Sequence, residues 1–243
     1  MSDERQAASI SGSGSLSGGI YSRISISGSG KVNGDVVVEE IKISGSGRVN
    51  GTTEAGQIGV SGSATFSDAV IADEVRVSGS AKVDGRVQAK ELKCSGSFRA
   101  GGGITSDYIK ITGSLRTGGD VEADIFRATG GFDIDGLLTA DKIEIHIGGR
   151  CRAKEIGGER IEVQRASHSI LAGLVRILGV NSGISRLEAT VIEADEVHLE
   201  DTVADVVRGK RIDIGAGCRI GTVEYEEQLR VGDGAEVDER RQV

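Results

Sequence analysis

Apolar residues in this chain come in pairs two positions apart, and the pairs recur at a fixed interval. The openings Ile24, Ile41, Ile58, Val75, Leu92, Ile109, Phe126 and Ile143 stand 17 residues apart throughout. Ile161 follows after 18, a step of 16 backwards from Ile26 lands on Ile10, and the array resumes at Val197, Ile212 and Leu229. About a dozen units are visible. Counting each unit from its opening residue, positions 1 and 3 are apolar and an SGSG-like run follows. Position 9 is usually apolar (Val32, Val49, Phe66, Val83), positions 10 and 11 are turn-like (Asn33-Gly34, Asn50-Gly51, Asp84-Gly85), and positions 13 and 15 are apolar or small (Val36 and Val38, Val70 and Ala72). Such two-residue alternation puts one set of side chains on a single face of a strand. Glycine at the interruptions supplies the bends.

A repeat this short excludes helical solenoids, whose units need 30 or more residues and a 3.6 period, and no LxxLxLxxN spacing marks a leucine-rich repeat. The pattern predicts an all-β parallel solenoid in which each coil of about 17 residues holds three short strands and equivalent residues stack at about 4.8 Å. Interior volume supports this reading. Position 7 runs Gly30, Gly47, Ala64, Ala81, Phe98, Leu115, Phe132, and where it grows at Phe98 and Leu115, position 9 shrinks to Ala100 and Thr117. Both positions therefore fill one narrow core of limited volume. Phe132 beside Ile134 breaks the trade.

Four segments follow: a polar tail over 1–8, coils over 9–165, an irregular insertion or short amphipathic helix over 166–188, and further coils over 189–243. In the insertion the register is lost, and although residues 161–196 are long enough for two irregular coils, Leu171, Leu174, Val175 and Leu178 have helix spacing. Ser169 is placed to cap the start and Asn181 to Gly183 to close the end. Ile170, Leu171, Leu174, Val175 and Leu178 form an apolar face that either packs on the solenoid wall or contacts a membrane surface or partner.

The 38 Gly, absence of Pro and Trp, and 3% aromatic content exclude a bulky aromatic interior, while the recurrent Val and Ile are strand material. MSDERQAAS has no apolar core of a signal peptide and no run approaches about 18 apolar residues, so the expected location is cytoplasmic. Cys94, Cys151 and Cys218 are odd in number and widely spaced, matching neither a disulfide framework nor a metal pair. They read as small buried hydrophobes.

Chemistry is sparse. His146, His168 and His198 sit in no catalytic spacing with Ser, Cys or carboxylates, the GGxGxD calcium repeat is missing, and SGSG lacks the GK[ST] of a phosphate loop. The expectation is no enzyme, no cofactor, no metal, no small-molecule substrate and, at net charge −8, no nucleic-acid partner. Charges form stripes: Lys31, Arg48, Lys82, Arg99 and Arg116 at position 8, Lys42, Arg76, Lys93 and Lys110 at position 2, and Glu39, Glu40, Asp73, Glu74, Glu91, Asp107 and Asp124 at positions 16 and 17. Like charges in register repel, so neighbouring stripes or an opposing surface must compensate them. The two ends of a solenoid expose cut layers and unpaired backbone, a template for adding another chain. Ile10, Leu16 and Ile20 at one end and Leu229, Val231 and Val237 at the other are the candidate polymer contacts.

The 17-residue coils, with "ISGSGKVNGDV" and "VSGSAKVDGRVQA" repeated in register, resemble the bactofilins, polymer-forming bacterial cytoskeletal proteins, over about 9–165 and 189–243. The resemblance implies a right-handed three-sided β-helix and end-to-end polymerisation into nucleotide-independent, non-polar filaments. It further implies peripheral association with the inner membrane face and scaffolding in cell shape, envelope growth or motility, with envelope and motility proteins as partners. Two departures stand out: the array is longer than the compact solenoid of many members and is interrupted, and MSDERQAAS carries no apolar membrane-targeting tail. A second functional reading is a non-polymerising solenoid module that presents its charged stripes to an envelope or lipid partner.

Overall fold

A computed structural model describes residues 6–165 and 185–243, which divide into two compact units, Met1–Ile125 and Phe126–Val243. The predicted insertion face at Ile170, Leu171, Leu174, Val175 and Leu178 lies outside the described residues.

In the first unit every coil hydrogen-bonds in parallel to the next. Ile24 pairs with Ile41, Ile41 with Ile58, Ile58 with Val75, Val75 with Leu92, and Leu92 with Ile109. The 17-residue period is thus the rung period of a parallel β-solenoid. Each rung buries three pairs of side chains. In the coil opened by Ile109 these are Ile109 and Ile111, Leu115 and Thr117, and Val121 and Ala123, one pair for each of three faces. Alternation follows from the strand itself, since successive side chains point to opposite sides: the strand Ile104–Ile111 reads Ile, Ser, Ile and Ile inward and Thr, Asp and Lys outward.

The SGSG run makes the corner after the first pair. Ser44 and Ser46 donate their amides to the carbonyls of Ile26 and Gly28 one coil earlier, 2.9 and 2.8 Å away, and the same ladder recurs at Ser61 and Ser63. A Cβ on Gly45 would overlap the Gly28 carbonyl oxygen, and Gly62, Gly79, Gly96 and Gly113 repeat the contact. The second residue of the run is glycine because the coils touch backbone to backbone there.

The second unit is built alike. Ile143 pairs with Ile161, Ile161 with Val197, Val197 with Ile212 and Ile212 with Leu229. Ile161 and Val197 are 36 residues apart in sequence yet adjacent rungs. The excess over one 17-residue turn is 19 residues, the length of segment 166–184, so residues 161–196 contribute one rung and not two. Cys151 pairs with Leu187 at the same offset, and the strand Leu187–Leu199 restores the register.

Phe132 also finds its room. Its ring meets that of Phe126 edge-to-face at 5.5 Å between centroids, and position 3 of that coil is Ala128, where the preceding coils carry Ile, Val or Cys. In the next rung Phe132 faces Cys151. The volume trade therefore runs between positions 7 and 3 as well as between 7 and 9.

Candidate assembly surfaces

Three surfaces carry the functional possibilities of such a molecule: its cut layers, its charged walls and the base of its insertion.

At the first cut layer, the strand Gln6–Ile10 pairs only with the strand Ser13–Ile26, and the stretch Ser13–Ile20 pairs only with the coil after it; among the described residues no strand lies on the other side. Ile10 stacks on Ile26 and is buried, whereas Leu16, stacked on Val32, is half-buried although Val32 itself is fully buried. Ile20 stands outside this layer. It is in register with Val37, an outward position between the buried Val36 and Val38, and is 60% exposed. The inward positions of that segment are Gly19 and Tyr21, and the Tyr21 hydroxyl donates to the Ser17 carbonyl at 2.8 Å.

At the other cut layer, Leu229, Val231 and Val237 sit above the buried Ile212, Ile214 and Ile220 and are each half-buried. Arg240 follows Val223 in its stack, so the last rung exchanges one apolar position for a cation. Each cut layer offers unpaired strand backbone around half-buried apolar side chains, the geometry that templates addition of a further strand layer.

The walls differ between the units. In the first, Lys42, Arg76 and Lys93 at position 2 are each neutralised by the carboxylate two residues earlier: Glu40 at 2.6 Å, Glu74 at 2.5 Å and Glu91 at 2.6 Å. Glu40 also receives Arg23 at 2.7 Å, and the hydrogen bond from Lys42, with Arg23 assisting, holds its carboxyl below the usual range against the opposing effect of burial. In the second unit opposite charges alternate along the column. Arg208 meets Glu193 and Glu224, Arg211 bridges Glu196 and Glu227, and Lys210 meets Asp195 at 3.0 Å.

The insertion is anchored at its base. Arg165 lays its guanidinium across the Asp201 carboxylate, Nε to Oδ2 at 2.5 Å and Nη2 to Oδ1 at 2.6 Å, and its amide donates to Glu200 at 2.9 Å. On the far side of the segment, the Leu187 amide donates to the Asp201 carbonyl at 3.1 Å. Asp201 itself holds the left-handed backbone with φ of 44°, a conformation uncommon outside glycine. One residue thus ties both flanks of the 166–184 segment to the following coil, a role that sequence spacing did not reveal because its two partners lie 36 and 14 positions away.

The three cysteines are buried and free. Burial pushes the Cys94 thiol up to about 11, Cys151 to about 12 and Cys218 to about 11, far from the depressed values of reactive thiols. Their S–H groups point at backbone carbonyls, Cys218 to Leu199 at 3.3 Å.

A parallel solenoid with apolar cut layers belongs to the class of stacking, repeat-built proteins. Residues 6–102 match the bactofilin family model, described as polymer-forming cytoskeletal. The chain is also 37% identical over 106 residues to the uncharacterized protein YhbF of Bacillus subtilis, covering 43% of this chain and 41% of the relative. Uncharacterized protein YhbE of the same organism is 35% identical over 106 residues, with 43% and 42% covered. The matched region spans about two-fifths of the length of these curated relatives. No solved structure matches the chain, and no helix among the described residues is long and apolar enough to cross a membrane.

Proposed function

We propose that this protein is a structural scaffold whose copies add end to end through their cut layers, forming filaments without nucleotide at the cytoplasmic face of the membrane, where they support cell shape, envelope growth or motility. The observation that carries this reading is the paired state of the terminal rungs. Leu16 at one end and Leu229, Val231 and Val237 at the other are half-buried on stretches of strand that are hydrogen-bonded on one side only. A second copy would complete the ladder and cover these side chains at once. The polymer-forming description of the matched family supports the same conclusion.

Negative-stain microscopy of purified protein tests it. Filaments in buffer free of nucleotide are expected; a monodisperse particle at high protein concentration would overturn the proposal and favour a solenoid module that binds through its walls alone.

A further inference from the structure

One wall of the first unit departs from the charge compensation seen elsewhere. Lys31, Arg48, Thr65, Lys82, Arg99 and Arg116 are in direct rung register, which places five cations in single file over about 24 Å at the inter-strand spacing. Lys82 reaches Asp84 at 2.5 Å. Lys31, Arg48 and Arg99 are exposed, and among the described residues no carboxylate pairs with any of them. The corresponding column of the second unit is Asp133, Arg152, Glu188, Val203, Arg219 and Glu236, with Arg152 on Asp133 and Arg219 on Glu236 at 3.5 and 3.2 Å. The same position is thus self-neutralising in one unit and of one sign in the other. Like charges one rung apart are unfavourable, so the column stores repulsion that an anionic partner would relieve.

We infer that this column is a docking face for an anionic lipid surface, an assignment that rests on the membrane-side location proposed above. The face is shaped for a plane. The cations are flanked on one side by the serines of the column from Ser29 to Ser114 and on the other by Asn33, Asn50, Ser67 and Asp84, short side chains that do not obstruct approach, and the serines supply hydroxyl donors to phosphate oxygens. Among the described residues no aromatic side chain stands on this face for stacking bases: the Phe residues are buried, and Tyr21, Tyr108 and Tyr225 lie in other columns. A second copy of the chain is the competing occupant, since Asp107 and Asp124 stand exposed at the same position of successive coils with no ion pair among the described residues; lateral pairing of copies needs no vesicle, so the vesicle arms below separate it from the lipid reading.

The test is flotation with vesicles of phosphatidylcholine alone and of phosphatidylcholine with 30% phosphatidylglycerol, using wild type, the triple variant Lys31→Thr, Arg48→Thr, Arg99→Thr, and the control Lys42→Thr, Arg76→Thr, Lys93→Thr. Thr65 already occupies the column, so threonine suits the strand, and circular dichroism checks the fold. Wild type is expected to float with the anionic vesicles in a salt-sensitive manner. At about 1 kcal/mol per basic side chain near an anionic surface, the first triple variant loses about 100-fold in partitioning, while the control, whose charges are already neutralised, stays within about threefold of wild type. Equal loss in both variants, or no loss in the first, overturns the face assignment while leaving membrane association intact. Absence of wild-type binding to anionic vesicles overturns both. Loss of binding to a soluble polyphosphate with vesicle binding unchanged would assign the column to a linear polyanion and overturn the lipid reading. Repeating the series on Leu229→Asp keeps the effect of filament avidity separate.

Discussion

Gly47 lies directly beneath Ile43: a Cβ at residue 47 would come within 2.9 Å of the Ile43 Cδ1 and 3.0 Å of its Cγ2. Positions 7 and 3 of a coil therefore share one space. Down the first unit and into the second, the pairs read Gly30 with Ile26, Gly47 with Ile43, Ala64 with Val60, Ala81 with Val77, Phe98 with Cys94 and Phe132 with Ala128. Leu115 with Ile111 is the generous exception, and there position 9 is Thr117, whose hydroxyl bonds the Gly102 carbonyl at 2.6 Å. Gly47→Leu is expected to destabilise the first unit by about 1–3 kcal/mol through overpacking. Adding Ile43→Ala should recover part of the loss, and a thermal or urea double-mutant cycle measures the coupling. Additive effects would show that the two positions do not compete.

Thr53 is fully buried and its hydroxyl has no hydrogen-bond partner among the described residues, on a stack where the adjacent rungs carry Val36 and Val70. Thr53→Val removes an unsatisfied polar atom without changing shape and is expected to stabilise by about 1–3 kcal/mol, read as a raised midpoint in denaturant. A lowered midpoint would mean that the hydroxyl is satisfied in solution.

Leu229→Asp and Leu16→Asp each place a carboxylate on a cut layer, where docking a second copy would bury it without a partner. Both variants should keep the far-ultraviolet signature of the fold and fail to form filaments in negative stain, whereas Ile20→Asp, on the outer face, should assemble like wild type. Filaments of unchanged length from Leu229→Asp and Leu16→Asp would move the contact away from the rung ends.

Acid should loosen the walls before the core. Glu40, held low chiefly by its hydrogen bond to Lys42 with Arg23 assisting, and Glu144, held low chiefly by Lys142 with Arg127 assisting, have folded pKa values beneath their unfolded ones. Their contribution is present above the unfolded value of about 4.3 and is lost as pH falls through the folded value, so stability should decline below about pH 4. Glu40→Gln and Glu144→Gln should flatten that decline in a titration of the denaturation midpoint.

The buried thiols give a check on the interior. At pH 8 the folded chain should react with Ellman's reagent far more slowly than the denatured chain, which should release three equivalents, one each from Cys94, Cys151 and Cys218. Prompt labelling of the folded chain would show a core open to solvent.

Much of this molecule is legible in one dimension because its long-range contacts are repetitions of a local pattern. The residue above Ile41 is another opening residue 17 positions on, so the period already states the strand pairing. The inward placement of Cys94, Cys151 and Cys218 follows from the same counting. The assembly layer is only partly legible: Leu16, Leu229, Val231 and Val237 lie on the cut rungs, but Ile20, expected there from its position near the start of the array, points outward, because a shift of one residue on a strand reverses the face.

The sequence by itself determined the fold class, the rung spacing and the direction of almost every apolar side chain, because alternation and period are local quantities. Only the tertiary structure decided that residues 161–196 make a single rung, that Asp201 ties both flanks of the intervening segment, and that Lys42, Arg76 and Lys93 are neutralised while Lys31, Arg48 and Arg99 have no carboxylate partner among the described residues. Those depend on which side chains meet across rungs and corners, and charge compensation is a property of distances in space that no interval along the chain records.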